Sequence, residues 1–128
     1  MNCAGICKIA SVDKFGRHEW DPMIDINLTA PFELGYEASK YMIEQRSGKI
    51  INVASMFSFL GGQWSPAYAA TKHGIVGFTK AYCDELAQYN VQVNAIAPAT
   101  SPPRSQKPPG PTQKRTARAG PHSGQSLG

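Results

Sequence analysis

Tyr68 and Lys72 lie four residues apart in the sequence YAATK, and Ser55 precedes the tyrosine by thirteen residues. On a helix, residues four apart share a face, so a lysine cation in this position acts on the phenol. The unperturbed pKa of a tyrosine side chain lies about three units above neutrality, and one unit corresponds to about 1.36 kcal/mol. A nearby cation that makes the phenolate accessible at neutral pH therefore supplies roughly 4 kcal/mol. These residue types predict a proton-transfer site, although the pair alone is also typical of an ordinary amphipathic helix.

The composition of the chain changes after Pro98. Residues 1–98 hold eight basic and nine acidic residues, whereas residues 99–128 hold five basic residues and no acidic one. The second segment is rich in proline and contains only Leu127 as a larger aliphatic residue. Such a segment buries too little apolar surface to offset the entropy of ordering, so we predict a disordered basic tail. The alternative is a tail whose prolines and cations bind an acidic partner or nucleic acid. We favour the first interpretation and expect no nucleic-acid partner.

The cysteines and the lack of a long apolar segment bear on the cellular compartment. Cys3, Cys7 and Cys83 show no CxxC spacing and are odd in number. This is typical of reduced thiols rather than of a disulfide framework or a zinc site. No segment approaches the roughly 20 apolar residues that span a bilayer, and the N-terminus lacks a signal-peptide pattern. We therefore predict a cytoplasmic protein without a metal site or a membrane partner.

Hydrophobic periodicity and turn residues divide residues 1–98 into elements. Asp21 followed by Pro22 predicts a helix start, and Pro31 is expected to kink that helix. We predict, in chain order, a helix at 22–46, a strand at 49–54, a loop at Gly61-Gly62, a helix at 66–89 and a strand at 91–97 that Pro98 closes. This alternation is typical of a parallel α/β sheet. Two strands are too few for a doubly wound sheet, so we expect the chain to be part of a larger domain.

Five short motifs occur in order along residues 1–98. They are NCAG at 2–5, DINL around Asn27, NVAS ending at Ser55, YAATK at 68–72 and NAIAP at 94–98. In this order they resemble the motifs of the short-chain dehydrogenase/reductase family. The family's counterparts are Asn-Asn-Ala-Gly, a helix asparagine, the catalytic serine, Tyr-x-x-x-Lys and the strand before a Pro-Gly cofactor loop. The resemblance covers residues 1–98 continuously.

The resemblance implies a fold and an activity. The fold is a partial Rossmann-type doubly wound parallel sheet, with the N-terminal strands and the C-terminal part missing, in which residues 1–98 form an incomplete catalytic segment. The activity is hydride transfer between NAD or NADP and a carbonyl or alcohol carbon of a small-molecule substrate. The parent enzyme is expected to be a homodimer or homotetramer, because the helices at 22–46 and 66–89 resemble those of the family's subunit interface.

The same resemblance implies roles for individual residues. Tyr68 would donate a proton to the carbonyl oxygen or take it from the alcohol, and Ser55 would hydrogen-bond that oxygen. Lys72 would stabilise the phenolate and bind the nicotinamide ribose, and Asn27 would hold a water that continues the proton relay. The residues implied at the cofactor are Asn2, Ala4, Gly5, Tyr68, Lys72 and Pro98.

Within the family, the loop at 55–62 and the stretch from His73 to Pro98 look most like gluconate 5-dehydrogenase and 2-deoxy-D-gluconate 3-dehydrogenase. The implied substrate is a keto or hydroxy sugar acid. Phe57, Phe59 and Trp64 would line its site or, alternatively, pack between subunits. Two other interpretations stay open. One is a parent enzyme similar to 3-oxoacyl-carrier-protein reductase, and the other is a truncated, non-catalytic fragment.

The chain departs from the family pattern at both ends. No G-x-G-x-x-G cluster precedes Asn2, and Met1 stands where the family has valine. We therefore expect that the start lies at an internal codon of a longer gene. Ala99 follows Pro98 where the family has glycine. If one base is restored before the Ala99 codon, the shifted codons permit Gly-Tyr-Phe-Ala-Thr, which resembles the family's loop at this place. We therefore predict a single-base frameshift at residue 99. Apolar helix faces and an open sheet edge are then expected to be exposed and prone to aggregation.

Overall fold

A computed structural model describes residues 1–98, so the predicted tail and the predicted frameshift at residue 99 lie outside the described residues. The helical elements are α1 (Arg17–Ile24), a π-helical turn (Asp25–Thr29), α2 (Ala30–Glu44), a 3-10 turn (Met56–Ser58), α3 (Pro66–Leu86) and a second 3-10 turn (Ala87–Tyr89). The strands are β1 (Gly48–Val53) and β2 (Val91–Ile96). The predicted α/β order is confirmed, and both strands lie within one residue of their predicted bounds.

β1 occupies the middle of the described sheet. It pairs in parallel with β2, in a register that places Val53 opposite Ile96. On its other edge it forms a parallel bridge at Asn2, whose N–H donates to Ile51 O at 2.8 Å. Parallel neighbours need crossover connections, and these are supplied by α2 before β1 and by α3 after it.

The apolar core lies between the two strands and the C-terminal half of α3. Its buried members are Ile50, Leu86, Val91 and Val93, and Met42, Ile43, Tyr82 and Tyr89 pack against them. In β2, buried Val91 and Val93 alternate with the exposed Gln92. Because neighbouring side chains of a strand point to opposite faces, this alternation fixes the register of β2 against β1.

The predicted helix start at Asp21 and Pro22 is wrong. The helix begins at Arg17 with Gly16 as its N-cap, and Pro22 lies inside it. Gly16 N–H donates to Glu19 Oε2 at 2.9 Å, so an acidic side chain of the first turn satisfies a backbone donor at the N-terminus. This local cap sets the start of the helix.

Pro31 is preceded by a change in helical geometry. The segment Asp25–Thr29 forms a π-helical turn, and Ala30 N–H donates to Asp25 O, five residues earlier. Proline has no N–H to offer to the carbonyl of Asn27, four residues before it, and a wider turn accommodates that loss. Next to the proline where a kink was expected, the helix thus forms a π-helical turn, which contains the buried Asn27.

Leu86 and Leu34 provide a matched test of the core. Leu86 is 4% exposed, whereas Leu34 on α2 is 61% exposed. Leu86→Ala is expected to lower the free energy of unfolding by about 2 to 5 kcal/mol, because it removes buried carbon atoms and leaves a cavity. Leu34→Ala should change it by less than about 0.5 kcal/mol. Urea unfolding followed by circular dichroism measures both, and equal losses would contradict the core described above.

Candidate active site

Three of the predicted catalytic residues gather at the carboxyl end of β1. Ser55 follows the strand by two residues, and Lys72 Nζ donates to Val53 O, the last carbonyl of the strand, at 2.7 Å. Tyr68 lies one helical turn before Lys72 on α3. In open α/β sheets, ligands bind in the crevice beyond the carboxyl ends of the strands. The position of these side chains therefore supports a ligand site.

Lys72 is a buried cation. The residue is 5% exposed, and its Nζ lies 5.6 Å from the centroid of the Tyr68 ring. Burial lowers the pKa of Lys72 below its usual value of 10.5, and the nearby Cys3 acts in the opposite direction. An ammonium group has three donors, of which Val53 O takes one. Within residues 1–98, two N–H groups of Lys72 therefore remain for a ligand that reaches the crevice.

The aromatic ring of Tyr68, rather than its hydroxyl, faces the Lys72 ammonium group. In the part of the chain that the structure describes, no hydrogen bond joins the Lys72 ammonium to Tyr68 Oη. The Tyr68 ring also packs edge-on against Phe57, with centroids 5.9 Å apart and planes at 81°. The half-buried tyrosine is thus held between an aromatic ring and a cation.

The loop after β1 holds the Ser55 hydroxyl as an acceptor. Phe57 N–H donates to Ser55 Oγ at 3.3 Å, and Ser55 N–H donates to Ser58 Oγ at 3.1 Å. This reciprocal arrangement is a capping box at the start of the 3-10 turn. Within residues 1–98 the Ser55 hydroxyl accepts the hydrogen bond from Phe57 N–H and donates to no other residue, so its proton can be donated to a ligand. The pairing of Ser58 with Ser55 was not predicted, because the usual sequence signal of a capping box is Glu or Gln three residues after the N-cap.

Asn27 holds the backbone that follows Gly5. Its side chain is buried, with Oδ1 accepting from Ile6 N–H and Nδ2 donating to Ile6 O, both at 2.8 Å. Nδ2 also donates to Thr71 Oγ1 at 3.4 Å. A Cβ atom at Gly5 would lie 3.3 Å from Asn27 Oδ1 and 3.9 Å from Lys72 Nζ, so glycine allows this close approach. The structure thereby brings together Gly5, Asn27 and Lys72, all of which were predicted.

The other residues predicted at the cofactor have different surroundings. Asn2 Nδ2 donates to Asn52 Oδ1 at 2.8 Å, and the buried Asn52 donates in turn to Thr79 Oγ1 at 3.0 Å. The Asn2 side chain therefore secures the backbone beside β1, through partners that sequence reasoning missed. Ala4 is exposed just before Gly5, and Pro98 is exposed beyond the carboxyl end of β2.

The three aromatic residues predicted near the substrate do not share one location. Phe57 contacts Tyr68. Phe59 lines a separate groove along α3 and β2. Trp64 O accepts from Ala10 N–H at 2.9 Å, which ties the loop before α3 to the N-terminal segment. Of the three, Phe57 is the one in ring contact with Tyr68.

Residues 1–98 hold neither a cluster of metal ligands nor a membrane-spanning helix. No group of three or more His, Cys, Asp or Glu side chains there is placed to hold a metal ion. No helix in the same range is long and apolar enough to cross a membrane. Cys3, Cys7 and Cys83 are free thiols, and all three are exposed.

The elements described above define a Rossmann-type α/β protein with a polar site at the carboxyl end of a parallel sheet. The sequence model of the short chain dehydrogenase family matches residues 1–111, a range that extends past the predicted boundary at Pro98. The chain belongs to the short-chain dehydrogenase family. Both the predicted family and the predicted fold class are confirmed.

Curated relatives agree with this assignment. The uncharacterized oxidoreductase YgcW of Escherichia coli is 72% identical over 98 residues, which are 77% of this chain and 38% of YgcW. The 2-dehydro-3-deoxy-D-gluconate 5-dehydrogenase of Bacillus subtilis is 39% identical over 115 residues, which are 90% of this chain and 45% of that enzyme. The chain thus spans less than half the length of these relatives.

A solved structure has a similar backbone. The gluconate 5-dehydrogenase of Burkholderia cenocepacia, in complex with NADP and tartrate, matches with a TM-score of 0.73 at 36% identity. The match covers 76% of this chain and 38% of that protein. The described residues therefore share their fold with part of a protein that binds NADP.

Lys72 is expected to titrate at a lower pH than Lys40, because their pKa values are shifted in opposite directions. Burial lowers the pKa of Lys72, whereas the hydrogen bond to Glu37 raises the pKa of the exposed Lys40. The pKa of Lys72 is lower in the folded state than in the unfolded state, where it is 10.5. As pH rises from the folded-state pKa toward 10.5, the buried group loses its charge before the unfolded one does. The free energy of unfolding therefore increases over this pH window. NMR titration of isotope-labelled lysine side chains measures both groups. A Lys72 signal that titrates with or above Lys40 would contradict the buried position.

Proposed function

We propose that this chain carries the proton-transfer part of an NAD(P)-dependent oxidoreductase that moves hydride between a nicotinamide and a carbonyl or alcohol carbon. The observation that carries the proposal is the position of Lys72 Nζ, 2.7 Å from Val53 O and 5.6 Å from the Tyr68 ring centroid. A cation in this position can act on a proton donor and on a bound nucleotide at once. Membership of the short-chain dehydrogenase family supports the same function.

Tyr68, Ser55 and Lys72 divide the chemistry at the substrate oxygen. When bound, the nicotinamide supplies or accepts the hydride. Ser55 donates its proton in a hydrogen bond to the carbonyl oxygen and orients it. Tyr68 gives that oxygen a proton during reduction and takes one from the alcohol during oxidation. The Lys72 cation stabilises the phenolate that forms on Tyr68, and its remaining N–H groups would bind the ribose hydroxyls.

Asn27 takes part in the proposed proton relay between Lys72 and solvent by binding a water at its main-chain oxygen. The Asn27 amide is engaged with the Ile6 peptide, so the side chain is not the part that holds this water. Pro31, four residues later, has no N–H to donate to Asn27 O. A water on that carbonyl would return a proton to Lys72. We therefore assign the water that Asn27 was predicted to hold to its main-chain oxygen.

The exposed backbone of Ala4 and Gly5 would hold NAD or NADP. Gly5 places no Cβ atom between this backbone and Lys72 Nζ, so no side chain of residue 5 separates the two. Asn2 contributes by securing the backbone beside β1, and Pro98 by following β2 at the same edge of the sheet. The NADP in the similar gluconate 5-dehydrogenase supports this cofactor class.

The proposed substrate is a keto or hydroxy sugar acid. The Bacillus relative and the Burkholderia structure are both named for gluconate-type substrates, which supports this class. Phe57, edge-on to Tyr68, gives the site an apolar wall beside the phenol. Such a wall limits the access of water to one side of the reacting oxygen.

The cytoplasm is the proposed location of the protein. Cys3, Cys7 and Cys83 are exposed free thiols, and a reducing compartment keeps such thiols reduced. The proposed partners are a small-molecule substrate and further copies of the chain, with no nucleic acid and no membrane.

Self-association as a dimer or tetramer is proposed to use an aromatic patch on α2 and α3. The patch consists of Phe32, Tyr36, Phe78 and Tyr82. Phe32 and Tyr36 are 47% and 50% exposed. Phe32 packs edge-on against Phe78 at 6.0 Å, and Phe78 lies 4.3 Å from Tyr82, measured between ring centroids. A partly exposed aromatic cluster that joins two helices is typical of a protein interface.

Tyr68→Phe tests the proposed activity. The 128-residue protein is incubated with NADH or NADPH and 5-keto-D-gluconate, and cofactor oxidation is followed by absorbance. Loss of the Tyr68 hydroxyl is expected to lower the rate by about 100- to 10,000-fold, since a positioned general acid contributes that much. Tyr89→Phe is the control, because Tyr89 packs against the apolar core and should retain most of the rate.

The outcomes of this assay separate the alternatives. A rate that survives Tyr68→Phe would show that Tyr68 is not the proton donor. No oxidation by the unmodified protein with either cofactor would favour a non-catalytic fragment. Oxidation with an acetoacetyl thioester, but not with 5-keto-D-gluconate, would favour an enzyme similar to 3-oxoacyl-carrier-protein reductase.

Phe32→Asp tests the aromatic patch. The charge is expected to shift the protein toward the monomer, because a carboxylate in an apolar interface loses its hydration. Sedimentation velocity at several protein concentrations measures the mass in solution. Val12→Asp is the control, since Val12 is 92% exposed and lies outside the helices. An unmodified protein that is monomeric at all concentrations would rule the interface out.

A further inference from the structure

Thr71 joins two parts of the candidate site. It is fully buried on α3, between Tyr68 and Lys72. Its hydroxyl donates to Tyr68 O at 2.9 Å and accepts from Asn27 Nδ2 at 3.4 Å. One oxygen atom therefore connects the π-helical turn with the helix that carries the tyrosine and the lysine.

The connection continues from Asn27 to the backbone beside the proposed cofactor position. Asn27 Oδ1 accepts from the main-chain N–H of Ile6, directly after Gly5, and one N–H of Nδ2 donates to the main-chain oxygen of Ile6. The second N–H of Nδ2 goes to Thr71. Among residues 1–98, no buried side-chain nitrogen or oxygen lacks a hydrogen-bond partner. Loss of the Thr71 hydroxyl would therefore leave a buried Asn27 donor unsatisfied, which is unfavourable.

We propose that Thr71 is a positioning residue that couples the backbone at Gly5 and Ile6 to α3 through Asn27. Its hydroxyl fixes the distance between the backbone at Gly5 and Ile6, which is proposed to face the cofactor, and Lys72 on α3. The functional half of this inference rests on the proposed oxidoreductase activity. The coupling itself is a property of the fold and does not depend on that activity.

Two threonines of α3 give a matched pair of variants. Thr79 Oγ1 donates to Ile75 O at 2.7 Å and accepts from Asn52 Nδ2 at 3.0 Å, so it makes the same two kinds of hydrogen bond as Thr71. Asn52 leads to Asn2 at the edge of β1. Valine keeps the approximate size of threonine and removes the hydroxyl at either position.

Amide hydrogen exchange, resolved at single residues in the full chain, tests the coupling. Thr71→Val is expected to raise exchange at Ile6 at least about tenfold, and to leave Val53, whose N–H donates to Asn2 O, unchanged. Thr79→Val should give the reverse pattern. Thr71→Ser keeps the hydroxyl and should protect Ile6 as threonine does. Exchange at Ile6 that stays unchanged in Thr71→Val, or that rises equally at Val53, overturns the proposal.

Turnover separates positioning from a purely structural role. With NADPH and 5-keto-D-gluconate, Thr71→Val should lower kcat about tenfold or more with little change in KM for the sugar acid, and Thr71→Ser should restore kcat. An unchanged kcat in Thr71→Val, or a serine variant that does not recover, overturns the positioning role. Absence of turnover in the unmodified protein refutes the proposed function instead, and the exchange pattern at Ile6 then decides the coupling.

Discussion

Lys72 brings an ammonium group into the interior at the carboxyl end of β1, where Val53 O accepts one of its hydrogen bonds. A buried charge is costly unless it is hydrogen-bonded, so this partner is a condition for the fold as well as for the site. Val53 ends β1 and Lys72 lies in the second turn of α3, so the contact fixes where the helix starts relative to the strand. Tyr68, one turn earlier, then lies beside the same crevice. The four-residue spacing places Tyr68 at the crevice because the end of β1 anchors Lys72 through Val53 O.

The geometry of the N-terminal side of the site depends on Pro31, Asn27 and Gly5. Pro31 has no N–H, and a π-helical turn precedes it. Asn27, in that turn, uses both ends of its amide on Ile6. Gly5 has no Cβ, so its backbone approaches both Asn27 and Lys72. The proposed cofactor position is therefore set by contacts between segments that are far apart in the chain.

Local patterns predicted much of this arrangement, and long-range partners escaped prediction for a physical reason. Both strands, α3 and the position of Ser55 after β1 follow from periodicity and short motifs, which are properties of neighbouring residues. The helix start at Arg17 was missed because its cap depends on one acidic side chain that reaches back to a glycine. The hydrogen bonds of Asn52 and Thr71 were missed because a buried polar residue finds its partner through the tertiary fold. Such partners are far apart in the chain, so no short sequence pattern reveals them.

Amide chemical shifts recorded while NADPH is added to the protein locate the cofactor most directly. If the buried ammonium group of Lys72 helps to hold the nicotinamide ribose, the largest shifts should occur at Gly5, Ile6, Ser55 and Lys72, and Lys72→Met should remove them. Shifts confined to the groove along α3 and β2, or no shift at any NADPH concentration, would contradict a cofactor site built around Lys72.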